Sequence, residues 1–238
     1  MIKAAIEKIL ELGKPEVRDI KGQIYSDKSL YRINHNPKAE PIRLSTLSSL
    51  IDYIKANVDI MQGQMIIHVV SPTQVRMYSK LDADREREHV VEVEAQLPYF
   101  RFNNYTDHEE FCINLQSKFI DNEDRKLLLK FAGTVEAGSV AEYGDDGVTQ
   151  KATVKTGITS KEAAIVPNPV SLIAYRTFLE VDQPTTNFIF RMKQDKYDGI
   201  QCGLFEADGG AWKLQAMTNI KMYLEAELED VDGFIVIS

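Results

Sequence analysis

The chain's 238 residues suffice for one large domain or two small ones, and a make-up of 44% hydrophobic and 27% charged residues is that of a folded protein rather than a disordered tail. A net charge of −8 opposes general attraction to phosphate backbones and anionic lipid. No Lys/Arg-rich run suggests a nucleic-acid tail, and no apolar run reaches bilayer length.

The opening segment carries Lys3, Glu7, Lys8 and Glu11, which interrupt any signal-peptide pattern, so the expected compartment is the cytoplasm. Ile2, Ala5, Ile6, Ile9 and Leu10 share one face of a first helix, which Gly13 and Pro15 end. VRDIKGQIYS reads as a hairpin turning at Lys21-Gly22, and Asn34 to Pro41 as a loop. A second helix is predicted from Ser45, with Leu47, Leu50, Ile51, Ile54 and Val58 on one face. QMIIHVVS and QVRMYSK are strands joined at Ser71-Pro72. In HVVEVEAQL, Val91, Val93, Ala95 and Leu97 alternate with polar residues, as in a half-solvated strand.

Thr106 with Glu109 three residues on forms a capping box, which predicts a third helix with Phe111, Cys112, Leu115 and Phe119 as its buried stripe. A fourth helix is expected from the cap Asn122, with Glu123 and Asp124 in its first turn, Lys130 near its end and Gly133 after it. Beyond Gly133 the pattern turns to strands. A turn at Asp145-Asp146-Gly147 leads to VTQKATVKTG. Pro167 and Pro169 bar a central ladder position. NFIFRM and GIQCGLFEA are strong strands, and Asp208-Gly209-Gly210 is a turn leading to AWKLQ. A last helix over about Thr218 to Glu229 and the strand FIVIS close the chain.

The expected class is α+β: a mixed helix and sheet half, then a β-rich half with one late helix and a terminal strand. The domain reading is 1–133 and 134–238, or one continuous domain.

GxxxxGK[ST], HExxH, CxxC and GxSxG are all absent, so no catalytic residue, cofactor site or metal site is assigned. Cys112 and Cys202 read as reduced core thiols, His68 as a core or half-buried histidine, and His108 as exposed. Acids at Asp82 and Asp84, Asp121 to Asp124, and Asp145-Asp146 suit loops, a helix start and a hairpin better than a cation site. For a metal-dependent nuclease or hydrolase the candidates are Asp198, Glu206 and Lys213. One cluster stands out: Tyr99, Phe100, Arg101, Phe102 and Tyr105 form a candidate surface for binding or self-association, set against the plainer reading of core aromatics on a strand.

The segments STLSSLIDYIKANVD, VTQKATVKTG after Asp145-Asp146-Gly147, VPNPVSLIAYRTF, NFIFRM and LFEADGGAWKLQAM together resemble the YfdQ-like family of phage and prophage proteins, a domain of unknown function. The similarity runs nearly end to end and is nearest to the short versions from Gram-positive prophages. It implies phage origin among early genes and supplies no active-site residue. The leading expectation is therefore a non-enzymatic phage accessory protein that forms a homo-oligomer, with a large symmetric assembly as its extreme and the host cytoplasm as its location. The alternatives are a nucleic-acid or nucleotide-binding module in recombination or counter-defence, and the metal-dependent enzyme. No membrane partner is expected.

Overall fold

The computed structural model describes residues 2–29, 38–61, 63–137, 140–145, 150–156, 160–166, 168–195 and 199–238. The chain forms two compact units, Met1–Ala39 and Glu40–Ser238.

The first unit is a helix and a hairpin. Helix α1 spans Ile2–Gly13, and strands β1 (Val17–Ile20) and β2 (Gln23–Ser26) pair antiparallel. Lys21 and Gly22 both take positive φ, +55° and +78°, the geometry of a two-residue hairpin turn whose twist matches its strands. The Asp19 carboxylate accepts from the Gly22 N–H at 2.8 Å and locks that turn. None of the described residues of this unit buries the apolar face of α1: Ile6 and Ile9 are 52% and 67% exposed.

The second unit is α+β. A five-stranded sheet runs in the order β14-β4-β5-β6-β3, with β4 (Met65–Ser71), β5 (Gln74–Ser79) and β6 (His89–Glu94) as an antiparallel meander. The edges β3 (Ile42–Leu44) and β14 (Phe234–Ile237) join in parallel. Period-two alternation sends Met65, Ile67, Val69, Val75, Met77, Val91 and Val93 to one buried face. Helices α2 (Leu47–Ala56) and α5 (Ala211–Glu227) close that face with Leu50, Ile54, Ile220 and Leu224.

A four-stranded antiparallel sheet runs in the order β11-β12-β13-β7, from β11 (Val170–Ile173), β12 (Thr185–Asp195), β13 (Gly199–Glu206) and β7 (Tyr105–Asp107). Its buried side, with Leu172, Phe188, Phe190 and Leu204, packs against α3 (His108–Ser117) and α4 (Glu123–Ala137) through Phe111, Leu115, Leu128 and Phe131. Strands β8 (Val140–Asp145), β9 (Gln150–Thr156) and β10 (Ser160–Val166) form a third, antiparallel sheet. Both hydrophobic clusters take residues from either side of Gly133.

Several local expectations need correction. Helix α2 ends at a left-handed Asn57, so Val58 lies outside it and is 70% exposed. The N-cap of α3 is Asp107, whose carboxylate accepts from the N–H groups of Glu109 and Glu110 at 2.9 and 3.2 Å. Thr106 sits in β7 instead and donates to the Cys202 carbonyl at 3.4 Å. His108 is buried, not exposed, because it faces α4: its Nε2 lies 2.9 Å from the Ala132 carbonyl. That carbonyl can only accept, so Nε2 carries the proton. Asn122 does cap α4, accepting from Arg125 N–H at 2.8 Å, but the helix runs through Gly133 to Ala137.

Helix α5 begins seven residues before the expected Thr218, directly after Asp208-Gly209-Gly210. The Asp208 carboxylate holds its entry by accepting from Gly210 and Trp212 N–H at 3.0 and 3.3 Å. AWKLQ therefore opens a helix. The turn residues Asp146 and Gly147 lie outside the described residues, as do Asn34 to Pro37 of the expected loop and Pro167. Among the described residues no helix is long and apolar enough to cross a membrane.

Candidate functional site

Between β6 and β7 the chain runs from Ala95 to Asn104 without helix or strand. This segment carries most of the aromatic cluster singled out in the sequence, and the structure divides that cluster. Phe100 and Phe102 turn inward, their centroids 4.6 Å apart, and Phe102 stacks on Phe188 at 5.4 Å with 13° between the planes. Phe100 also meets Phe119 edge-on at 5.1 Å. Tyr99 is 75% exposed and Arg101 is exposed beside it. Tyr105 goes elsewhere: it packs on Phe205 in β13 and takes the Lys193 ammonium 4.4 Å from its ring centroid.

Tyr99, Phe100 and Phe102 form one wall of an open cleft of about 320 Å³, together with Leu97 and Pro98. The rest of its lining is Tyr175, Arg176, Glu206 and Trp212. Arg176 is the group that gives this cleft chemical interest. It is only 6% exposed, and it sits just past β11, where Ala174 forms a bridge to Phe119. Its guanidinium carbon lies 3.7 Å from the Phe102 centroid, 4.6 Å from Trp212 and 4.9 Å from Phe188. Three aromatic rings thus surround a cation taken out of water.

Glu206, at the end of β13, supplies the counter-charge. Its Oε1 accepts from Arg176 Nη1 at 2.9 Å and from the Trp212 indole N–H at 3.1 Å. Its Oε2 accepts from Asn103 Nδ2 at 3.2 Å. Both oxygens are therefore engaged. Burial holds the Arg176 pKa below the ordinary arginine value, and the negative charges of Glu206 and Asp208 push it back up. Arginine starts so high that the guanidinium stays charged. Yet two of its donors, Nε and Nη2, are buried with no hydrogen-bond partner among the described residues.

Backbone geometry delivers these groups. Asn103 takes a left-handed φ of +59°, a conformation asparagine tolerates well. From there its N–H donates to the Leu204 carbonyl at 2.8 Å, and its Oδ1 accepts from Glu206 N–H at 2.9 Å. The segment comes so close to β13 that a Cβ on Gly203 would meet the Asn104 carbonyl oxygen at 2.6 Å. Glycine is needed at that position for space, not for an unusual φ.

The sequence reading pointed to the 99–102 part of this cleft and missed Arg176 and Trp212. A signal for Arg176 was present: it is the one charge within the apolar run LIAYRTFL.

Two of the three nuclease candidates can be placed. Asp198 lies outside the described residues, Glu206 is held by three donors, and Lys213 is exposed with Nζ 5.9 Å from the Trp212 centroid. Among the described residues no group of three or more His, Cys, Asp or Glu could hold a metal ion. Asp82 closes a turn, accepting from Asp84 and Glu86 N–H at 2.9 and 2.8 Å, and Asp121 pairs with Arg125 at 2.8 Å.

No family model, curated protein or solved structure matches this chain.

Proposed function

We propose that this is a non-enzymatic accessory protein of phage or prophage origin that works in the host cytoplasm as a homo-oligomer. The phage origin rests on the YfdQ-like texture of STLSSLIDYIKANVD, VPNPVSLIAYRTF and LFEADGGAWKLQAM. The self-association rests on one observation, the apolar face of α1 that the described residues of its own unit leave uncovered.

A second copy is the occupant that suits this face. Its apolar residues fall at helical spacing, and the polar side carries two lysines and two glutamates, Lys3, Lys8, Glu7 and Glu11. Such a balanced face has no net charge to seek a polyanion or an anionic lipid surface. Two copies set antiparallel around a two-fold axis bury the isoleucines against one another, as closed symmetry favours. An isolated helix of this length is marginal in water, so partner and helix stabilise each other.

Size-exclusion chromatography with light scattering on the full chain tests the reading. The expected result is a mass of two or more whole monomers, reduced by the double substitution Ile6→Asp, Ile9→Asp. Neither residue is buried, so the substitution leaves the second unit folded. A wild-type monomer at micromolar concentration overturns the proposal.

A further inference from the structure

The unpartnered donors of Arg176 define a recognition edge. In a guanidinium, Nε–H and Nη2–H point the same way and form a flat two-pronged fork. Glu206 occupies the other prong, Nη1, and its remaining acceptor capacity goes to Trp212 and Asn103. The fork itself has no partner among the described residues and is shut off from solvent. A charged side chain 6% exposed does not ordinarily keep two idle donors, because each carries its desolvation penalty with nothing in return.

The cleft beside it is built for a flat group. Phe102 and Trp212 present ring faces around the guanidinium, and Tyr99 stands exposed at the rim. The volume of about 320 Å³ lies at the small end of ligand sites, the size of one ring system rather than a long chain. An aromatic wall favours stacking, and the fork favours two acceptors side by side in the plane of the stacked ring. Guanine combines these features: its O6 and N7 are adjacent in-plane acceptors that arginine binds in a bidentate way. Adenine offers N7 beside an N6 donor, which the fork repels.

We propose that the Arg176 cleft is a binding site for a guanine-type base, gripped at O6 and N7 by Nε and Nη2 of Arg176 and stacked among Phe102, Trp212 and Tyr99. Both donors are closed to solvent in this structure, so the cleft must widen at Arg176 for the base to reach them. The chain's charge of −8 favours a free nucleoside or nucleotide over a base within a strand.

Trp212 is the only tryptophan in the sequence, so its fluorescence reports this cleft alone. The full-length protein is titrated with GMP, guanosine, AMP, 7-methyl-GMP and the single strand d(GTGTGT). The expected result is saturable quenching by GMP and guanosine with similar affinity, at least tenfold weaker response to AMP and 7-methyl-GMP, and weaker binding per base by the oligonucleotide. The 7-methyl ligand removes the N7 acceptor without touching the protein, so it does not depend on a variant that folds. Arg176→Lys keeps the charge and removes the fork, and it should lose at least tenfold in GMP affinity with an unchanged circular dichroism spectrum. Equal binding of GMP and AMP, undiminished binding of 7-methyl-GMP, or no saturable response to GMP at millimolar concentration overturns the inference. Tighter binding of the oligonucleotide than of GMP overturns the free-nucleotide preference and keeps the base contact.

Discussion

Gln183 holds Arg176 by the backbone: its Oε1 accepts from the N–H groups of Arg176 and Thr177 at 2.9 and 3.1 Å. Its Nε2 returns the favour to the same loop, donating to the carbonyls of Phe178 at 2.9 Å and of Thr177 and Val181 at 3.3 Å each. One amide thus staples a turn that has no regular ladder of its own. Gln183→Leu should leave those backbone groups without partners and lower stability by about 1–3 kcal/mol. Thermal unfolding should show a drop of a few degrees, on the order of 2–4 °C per kcal/mol for a chain of this size. An unchanged melting temperature would mean that water replaces the amide at no cost.

Removing Glu206 strands a buried cation. The Arg176 side chain is 5% exposed and Glu206 29%, so the pair is screened only from one side. Glu206→Ala should cost about 3 kcal/mol, the low end for breaking a buried pair because Glu206 keeps some contact with water. Glu206→Gln keeps an acceptor for Arg176 and Trp212 and should cost clearly less. Urea titrations of the two variants beside the wild type give the comparison. Equal loss from both would assign the effect to shape rather than charge.

Gly203→Ala should destabilise by about 1–3 kcal/mol, the usual range for forcing atoms into filled space. The added carbon meets backbone, the Asn104 carbonyl at 2.6 Å, so no side-chain rotation relieves it. The strain falls on the pairing of Gly203 with Tyr105, which links β7 to β13. Amide exchange should therefore speed up first in 103–107. Gly209→Ala is a poor control because of its φ of +64°, whereas Gly133→Ala, with nothing within 4 Å and helical backbone, should be neutral or stabilising.

Burial pushes the Cys202 thiol up to about 12, with Cys112 and Asp107 nearby adding to the rise. The ordinary value is 9.0, so between there and about 12 the folded chain holds a proton that the unfolded chain releases. The unfolded state then binds fewer protons, and stability declines as pH rises through that window, while below it the thiol contributes no pH dependence. Cys202→Ala should flatten the loss of stability above pH 9. At pH 8 iodoacetamide should leave Cys202 unmodified in the folded protein and alkylate it in denaturant. Peptide mass analysis reads out both.

Much of the fold was legible where a pattern and a stop signal coincided. The hairpin at Lys21-Gly22 shows both, and α2 shows the pattern in Leu47, Leu50, Ile51 and Ile54, although its stop at left-handed Asn57 falls one residue before Val58, where the sequence reading still had helix. The errors fell where long-range contacts decide. AWKLQ alternates well enough to pass for a strand, and only the Asp208 carboxylate on Gly210 and Trp212 marks it as a helix start. His108 looks solvent-bound beside Glu109 and Glu110, but α4 lies over it. The candidate site behaved the same way. Tyr99 to Phe102 form a local cluster that sequence reveals, while Arg176, Glu206 and Trp212 come from a loop, a strand end and a helix start far along the chain. Which charge meets which aromatic is a property of the fold.

Strand β14 and helix α5 complete the sheet that β4, β5 and β6 begin. On the ribosome the meander of residues 65–94 is made more than a hundred residues before the helix that seals it. Until 211–237 emerge, the face of Met65, Ile67 and Met77 has only α2 of its two covering helices, and the β4 edge lacks its neighbour. Such late closure is slow and leaves sticky intermediates in the meantime. Premature termination anywhere before α5 should thus yield a chaperone client or an inclusion body instead of a shorter soluble version, and synthesis rate becomes a lever on yield.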